Sequence, residues 1–146
     1  MIAEIIIPGK IKGKARPKFF RRGNFVGTYT PEATVSYENL IKTIYYEKYG
    51  NTSPLSGPVK VTIIAYFEIP KSFSKQKRLD AENERLFPTK KPDWDNIGKV
   101  VCDSLNKIAY DDDAQIVESH LFKVYNREER LKVIIESKVV RNYEDN

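Results

Sequence analysis

Residues 91–108 read KPDWDNIGKVVCDSLNKI, and the rest of the chain is organised around this stretch. Ile97, Val100, Val101, Leu105 and Ile108 recur at three- and four-residue spacing, which is the buried stripe of an amphipathic helix. The same spacing leaves Asp95, Lys99, Asp103 and Asn106 on the open side. The helix is expected to begin near Asp93 or Asp95 and to end near Ile108. A helix with one apolar stripe needs a second layer to bury it against, so the flanking segments should supply a sheet.

Downstream, residues 114–125 and 130–139 read as strands, and the short Asn126-Arg127-Glu128-Glu129 link predicts that they form an antiparallel hairpin. Upstream, residues 70–92 carry proline, serine and charge without a period, which predicts a long surface loop. Val59 to Ile69 alternate as a strand, with Val59, Val61, Ile63, Ala65 and Phe67 on one face. Thr30-Pro31-Glu32 opens an earlier helix: a threonine cap, a proline at the first helical position and an acid at the positive end of the dipole. That helix should run to about Tyr49, with Tyr37, Leu40, Ile41, Ile44, Tyr45 and Tyr49 as its apolar stripe and Gly50 as its stop. Its tyrosines suit a core, although a base-stacking surface would use the same residues.

Residues 2–8 read as a buried strand ended by Pro8-Gly9. Phe19-Phe20 and Phe25-Val26, around Arg21-Arg22-Gly23-Asn24, read as a short hairpin. A polar tail follows Arg141. The order is strand, helix, strand, helix, strand, strand. It defines an α/β (α+β) single domain over residues 1–146, with a mixed sheet and two main helices.

A chain of 146 residues is long enough to close a core without cross-links. Cys102 is the only cysteine, which excludes an internal disulfide and a cysteine-based zinc site and fits a reducing, cytoplasmic setting. No apolar run reaches the roughly 18 residues that span a bilayer, so no membrane partner is expected. Ile5-Ile6-Ile7 precedes the basic residues, the reverse of a signal peptide.

The net charge of +5 is unevenly distributed. Lys10, Lys12, Lys14, Arg16, Lys18, Arg21 and Arg22 face only Glu4 across the first thirty positions, and Lys71, Lys75, Lys77, Arg78, Arg85, Lys90 and Lys91 form a second basic stretch. The sign then reverses at Asp93, Asp95, Asp103, Asp111, Asp112 and Asp113. A basic surface around an acidic pocket is the charge plan of a nuclease, which must attract a phosphate backbone and still hold cations. Two solvated basic loops beside an acidic helix would give the same count.

Asp93 and Asp95 stand at the start of the acidic helix, and Asp111-Asp112-Asp113 lie just beyond its end. A helix of about fourteen residues is roughly 20 Å long, so the two groups cannot meet along it. Convergence needs a return of the chain that the position of Asp113, at the beginning of the next strand, does not explain. Converged carboxylates would need a cation, because two like charges about 4 Å apart repel by about 4 kcal/mol at an effective dielectric of 20. Magnesium takes such carboxylates together with waters and phosphate oxygens. Lys99 is placed either to stabilise charge on a reacting phosphate or to pair with Asp95 one turn away. Spacing alone favours the plainer reading, with Asp93 as a cap and Asp111 to Asp113 as an exposed turn.

The longer string alters that balance. Lys91-Pro92-Asp93-Trp94-Asp95-Asn96-Ile97, then Lys99, Asp103 and Leu105-Asn106, then Tyr110-Asp111-Asp112-Asp113-Ala114-Gln115-Ile116, resembles the RusA family of Holliday-junction resolvases. Gly13-Lys14-Ala15-Arg16-Pro17-Lys18 and Thr30-Pro31-Glu32 are similar to the family's N-terminal region, so the resemblance is nearly full length. It implies that Asp93, Asp95 and Asp113 bind Mg2+ or Mn2+, that Lys99 is the catalytic lysine, and that Asp112 and Asp103 assist. It also implies a homodimer that nicks two strands of like polarity across a four-way DNA junction in recombination and repair. Lys14, Arg16, Lys18, Lys90 and Lys91 are the expected DNA contacts.

The chain departs from many relatives in Lys107, where a glycine often ends the helix, and in Pro92, where some members have a basic residue. Two rival readings remain: a non-catalytic nucleic-acid-binding domain, and a metal nuclease acting on flaps or other branched DNA. His120 reads as a surface or packed residue, and Trp94 as a wedge packing the helix start.

Overall fold

Isoleucines at every second position make the start of the chain a strand, β1 (Ile2–Pro8), with Ala3, Ile5 and Ile7 buried and Ile2 and Ile6 facing outward. The computed structural model describes residues 2–139, so the polar tail expected after Arg141 lies outside the described residues. After β1 come β2 (Lys18–Arg22), β3 (Phe25–Tyr29), α1 (Glu32–Tyr49), β4 (Val59–Glu68), α2 (Lys75–Glu82), α3 (Trp94–Leu105), a 3-10 turn at Asp113–Gln115, β5 (Ile116–Asn126) and β6 (Arg130–Ser137). The four-stranded sheet has the order β1-β6-β4-β5, with β5 parallel to β4 and β6 antiparallel to both β4 and β1. β2 and β3 form a separate two-stranded sheet. This is one α+β domain with a mixed sheet, as expected.

α1 and α3 pack together on one sheet face. There Tyr37, Ile41, Tyr45, Ile97, Val100, Val101 and Leu105 meet the buried side chains of β1, β4 and β6. The tyrosine stripe is therefore mainly core, although Leu40 stays 38% exposed. Tyr49 also closes the outer edge of β1: its hydroxyl accepts from the Glu4 amide at 2.9 Å and donates to the Glu4 carbonyl at 3.2 Å. An edge strand capped in this way offers less for a foreign strand to pair with.

Four local expectations need correction. β5 and β6 do not pair, because β4 lies between them. A short link usually means adjacent strands, but residues 127–129 here cross the end of β4, a span of two strand spacings of about 4.8 Å each. Glu129 holds this crossing, accepting from the Ile11 amide at 2.9 Å and the Glu68 amide at 3.2 Å. Second, the 70–92 segment contains α2, capped by Ser74, whose side chain accepts from the Lys77 amide. Only Ala81 of that helix is buried, so it carries no readable stripe and the helix count rises from two to three.

Third, α1 starts at Glu32 with Pro31 in the cap position and no side-chain capping bond, so Thr30 does not cap it. Fourth, α3 ends at Leu105 rather than near Ile108, because Asn106 is extended and Lys107 adopts φ 67. A left-handed conformation costs a residue with a Cβ roughly 1–2 kcal/mol. Lys107→Gly is therefore expected to raise the melting temperature by about 2–4 °C per kcal/mol recovered. An unchanged or lower value would mean that the lysine side chain stabilises the turn by other means.

Candidate active site

α3 is fixed at both ends by hydrogen bonds that leave carboxylates facing water. At its start, Asp93 occupies the cap position with no side-chain capping bond, so the plain capping role is absent and its carboxylate is exposed. Asp95 is exposed in the first turn. Trp94 is 57% exposed and does not wedge into a core. Instead its indole N–H donates to the Leu121 carbonyl of β5 at 3.2 Å and ties the helix start to the sheet.

Lys123, two residues further along β5, donates to the Lys90 carbonyl at 2.6 Å and the Pro92 carbonyl at 3.0 Å. Burial holds its pKa below the ordinary lysine value, with Asp93 opposing that shift and Lys90 adding to it. Lys123 thus positions the loop that delivers Asp93. Nothing in the sequence marked it, since it occupies one position of an alternating strand.

The N-terminal basic segment crosses the same helix start. The Lys14 amide donates to the Asn96 carbonyl at 2.9 Å. At Gly13 an added Cβ would stand 3.0 Å from the Cβ atoms of Asn96 and Pro92, so glycine permits the close approach. The Lys14 ammonium lies 2.7 Å from Glu38 and 3.4 Å from Asp103. Desolvation opposes its charge, but these two carboxylates outweigh that and raise its pKa. Lys14 therefore joins α1 to α3, whereas Arg16, Lys18, Lys90 and Lys91 are exposed.

At the far end of α3, Asn106 accepts from the Asp113 amide at 3.0 Å. Gln115 accepts from the Asp112 amide at 2.8 Å and donates to the Leu55 and Gly57 carbonyls, each at 2.9 Å. The Asn and Gln of the recognised string are thus the clamps that shape the acidic turn. Asp113's pKa is raised by desolvation, by a hydrogen bond with Asp112 and by the charges of Asp112 and Asp103. Asp103, Asp112 and Asp113 form one crowded group, and Asp93 and Asp95 another.

Along α3, which is about 18 Å long at 1.5 Å per residue, the Asp95 and Asp103 backbones stand about 12 Å apart, and Asp93 and Asp113 lie beyond opposite ends of the helix. Among the described residues no three carboxylate, histidine or cysteine side chains converge to hold a metal ion. Asp93, Asp95 and Asp113 of one chain therefore do not fit a single cation. Lys99, between the two groups, is exposed and forms no ion pair among the described residues, so the salt bridge to Asp95 is absent.

A cleft of about 780 Å³ opens where the link crosses β4. Lys10, Lys71, Lys90, Arg127 and Arg130 line it, together with Glu68, Glu128 and Glu129. His120 is exposed on β5, 3.9 Å from Glu118. No helix among the described residues is long and apolar enough to cross a membrane.

Carboxylates at both ends of one helix, together with a cleft lined by five basic and three acidic side chains, suit a protein that handles phosphodiesters. The chain is a member of the family described as Endodeoxyribonuclease RusA, whose sequence profile matches residues 8–136. It is also 33% identical over 129 residues, 87% of this chain and 90% of the relative, to "Uncharacterized protein YqaN" of Bacillus subtilis (strain 168). Membership implies nuclease activity on DNA, and nucleases of this family are typically metal-dependent.

Proposed function

We propose that this chain is a magnesium-dependent endodeoxyribonuclease that resolves four-way DNA junctions by paired nicks, acting as a symmetric homodimer in recombination and repair. The observation that carries the reading is the family match over residues 8–136, which includes both acidic groups of α3 and the free Lys99 between them. The failure of these carboxylates to converge within one chain then becomes informative. A two-fold pair can bring the start of one α3 beside the end of the other, and isologous symmetry makes two equivalent sites. Each site would hold Asp93 and Asp95 of one copy and Asp113 of the partner subunit, with Asp112 and Asp103 beside the latter.

A divalent ion held by these carboxylates would supply Lewis-acid chemistry, activating water and offsetting charge on the scissile phosphate. The chain's own residues do the rest. Lys99 presents an ammonium to the charge that develops in the transition state, and Lys123, Asn106 and Gln115 hold the acidic segments in shape. Arg16, Lys18, Lys90 and Lys91 contact phosphates; Lys14, held by Glu38 and Asp103, acts as a brace.

Cleavage of four-way, three-way, flap and linear duplex DNA in magnesium tests the reading. Paired nicks in the four-way junction, and none in linear duplex, are expected. Flap cleavage without junction cleavage would favour a different branched-DNA nuclease, and binding without cleavage would favour a binding domain.

Two further outcomes follow from the geometry. Lys123→Met removes the donor to two carbonyls beside Asp93, so cleavage should fall about tenfold or more, as for other residues that orient ligands, with junction affinity nearly unchanged. A wild-type rate would remove Lys123 from the positioning role. Replacing Arg16 and Lys18 with alanine should reduce the slope of log affinity against log salt by about 0.9 per lost phosphate contact. An unchanged slope would exclude these residues as phosphate contacts.

A further inference from the structure

The β2–β3 hairpin pairs only with itself, and among the described residues it has no extensive packing against another strand or helix. Such an arm is marginal unless its apolar side is covered. Yet Phe25 is 63% exposed and Tyr29 49% on one face, and Phe19 78% on the other. Register places Phe20, Phe25 and Tyr29 on one face, with Lys18 opposite Tyr29 and Arg22 opposite Phe25. The Phe20 ring lies over Gly27, where an added Cβ would come within 2.7 Å of it. The result is a shallow cleft of about 570 Å³ walled by aromatic rings and arginines.

The ring centroids are 5.9 Å apart for Phe20 and Phe25 and 6.2 Å apart for Phe20 and Tyr29, at tilts of 52° and 51°. Bases stacked in a duplex strand repeat about every 3.4 Å, so a stacked duplex cannot match these rings one for one. Bases drawn out of the stack can. Charge points to the same occupant: from residue 5 to residue 31 the chain has no acidic side chain, while Lys18, Arg21 and Arg22 lie on the arm. An apolar protein partner would cover the rings but leave these cations uncompensated. A nucleotide offers a base to the ring and a phosphate to the arginine, the combination found in single-strand binding grooves.

We infer that the β2–β3 arm is a stacking platform for unpaired nucleotides and that it distinguishes a branch point from continuous duplex. This rests on the proposal that branched DNA is the substrate. The test uses the full chain without divalent metal, on four-way junctions carrying 2-aminopurine either at the branch point or within an arm. Wild-type protein is expected to raise fluorescence at the branch point only.

Phe25→Leu with Tyr29→Leu keeps apolar strand residues but removes two rings. It should lose that signal and at least about fivefold in junction affinity, with duplex affinity unchanged. Phe25→Trp should retain both properties, and Phe19→Ala on the opposite face should behave as wild type.

Equal loss of junction and duplex affinity, or a leucine variant that unstacks the branch point normally, would overturn the inference. So would a leucine variant whose primary defect is a halved mass in solution, since the arm would then clasp a second copy. If wild-type protein binds and cuts junctions while the leucine variant is indistinguishable from it, only the arm's role fails. If wild-type protein neither prefers nor cuts junctions, the functional reading fails with it.

Discussion

Asp93→Asn, Asp95→Asn and Asp113→Asn are each expected to abolish junction cleavage while leaving junction affinity nearly intact. Removing one anionic ligand should exceed the roughly 10–100-fold loss typical of outer partners of a metal site. Affinity, in contrast, comes from lysines and arginines on phosphates, which these changes spare. Stability separates this role from a structural one. Asp93 makes no side-chain capping bond, and Asp113 is crowded by Asp112 and Asp103. Asp93→Asn removes no side-chain capping bond, and Asp113→Asn relieves repulsion while keeping an oxygen that can accept from the Ala114 amide, so both variants should melt no lower than wild type without magnesium. A clear loss of stability would restore the structural role, and a variant cutting at a near wild-type rate would remove its residue from the site.

Lys99→Ala is expected to lower the single-turnover rate by about a hundredfold or more at saturating protein and magnesium. Groups that stabilise charge developing only in the transition state typically contribute about 2.7–4 kcal/mol. A pair with Asp95 would be worth only a few tenths of a kcal/mol, and that pair is absent. Lys99→Arg should restore only part of the rate, because a planar guanidinium does not occupy the point position of an ammonium. Cleavage by Lys99→Ala within a few-fold of wild type would end the catalytic assignment.

What the sequence made legible was local. Alternation in β4 and the three- and four-residue spacing in α3 report directly which side chains are buried, and both elements have the expected faces. The place of β4 between β5 and β6 is decided by which strand best fills the sheet centre, a comparison of tertiary alternatives that loop length does not encode. α2 went unread because a helix with one buried residue has no period.

In the site, the acidic string, Asn106 and Gln115 were visible, but their clamping bonds were not. For Lys14 the pattern shows a charge but not its partners, Glu38 and Asp103, which arrive from two separate helices. The separation of Asp93 from Asp113 was foreseeable from helix rise alone. The proposed resolution is a site shared between two copies of the chain.

Mixing Asp95→Asn protein with Asp113→Asn protein, each expected to be inactive alone, shows whether two copies of the chain build one site. In a mixed pair, one site receives the intact Asp95 of one chain and the intact Asp113 of the other, while the second site carries both lesions. At equal proportions about a quarter of the sites are then whole, if subunits pair at random about a two-fold axis. Magnesium-dependent nicking of four-way junctions is expected to return on mixing. A mixture that forms mixed dimers and stays as inactive as its components would contradict the shared site.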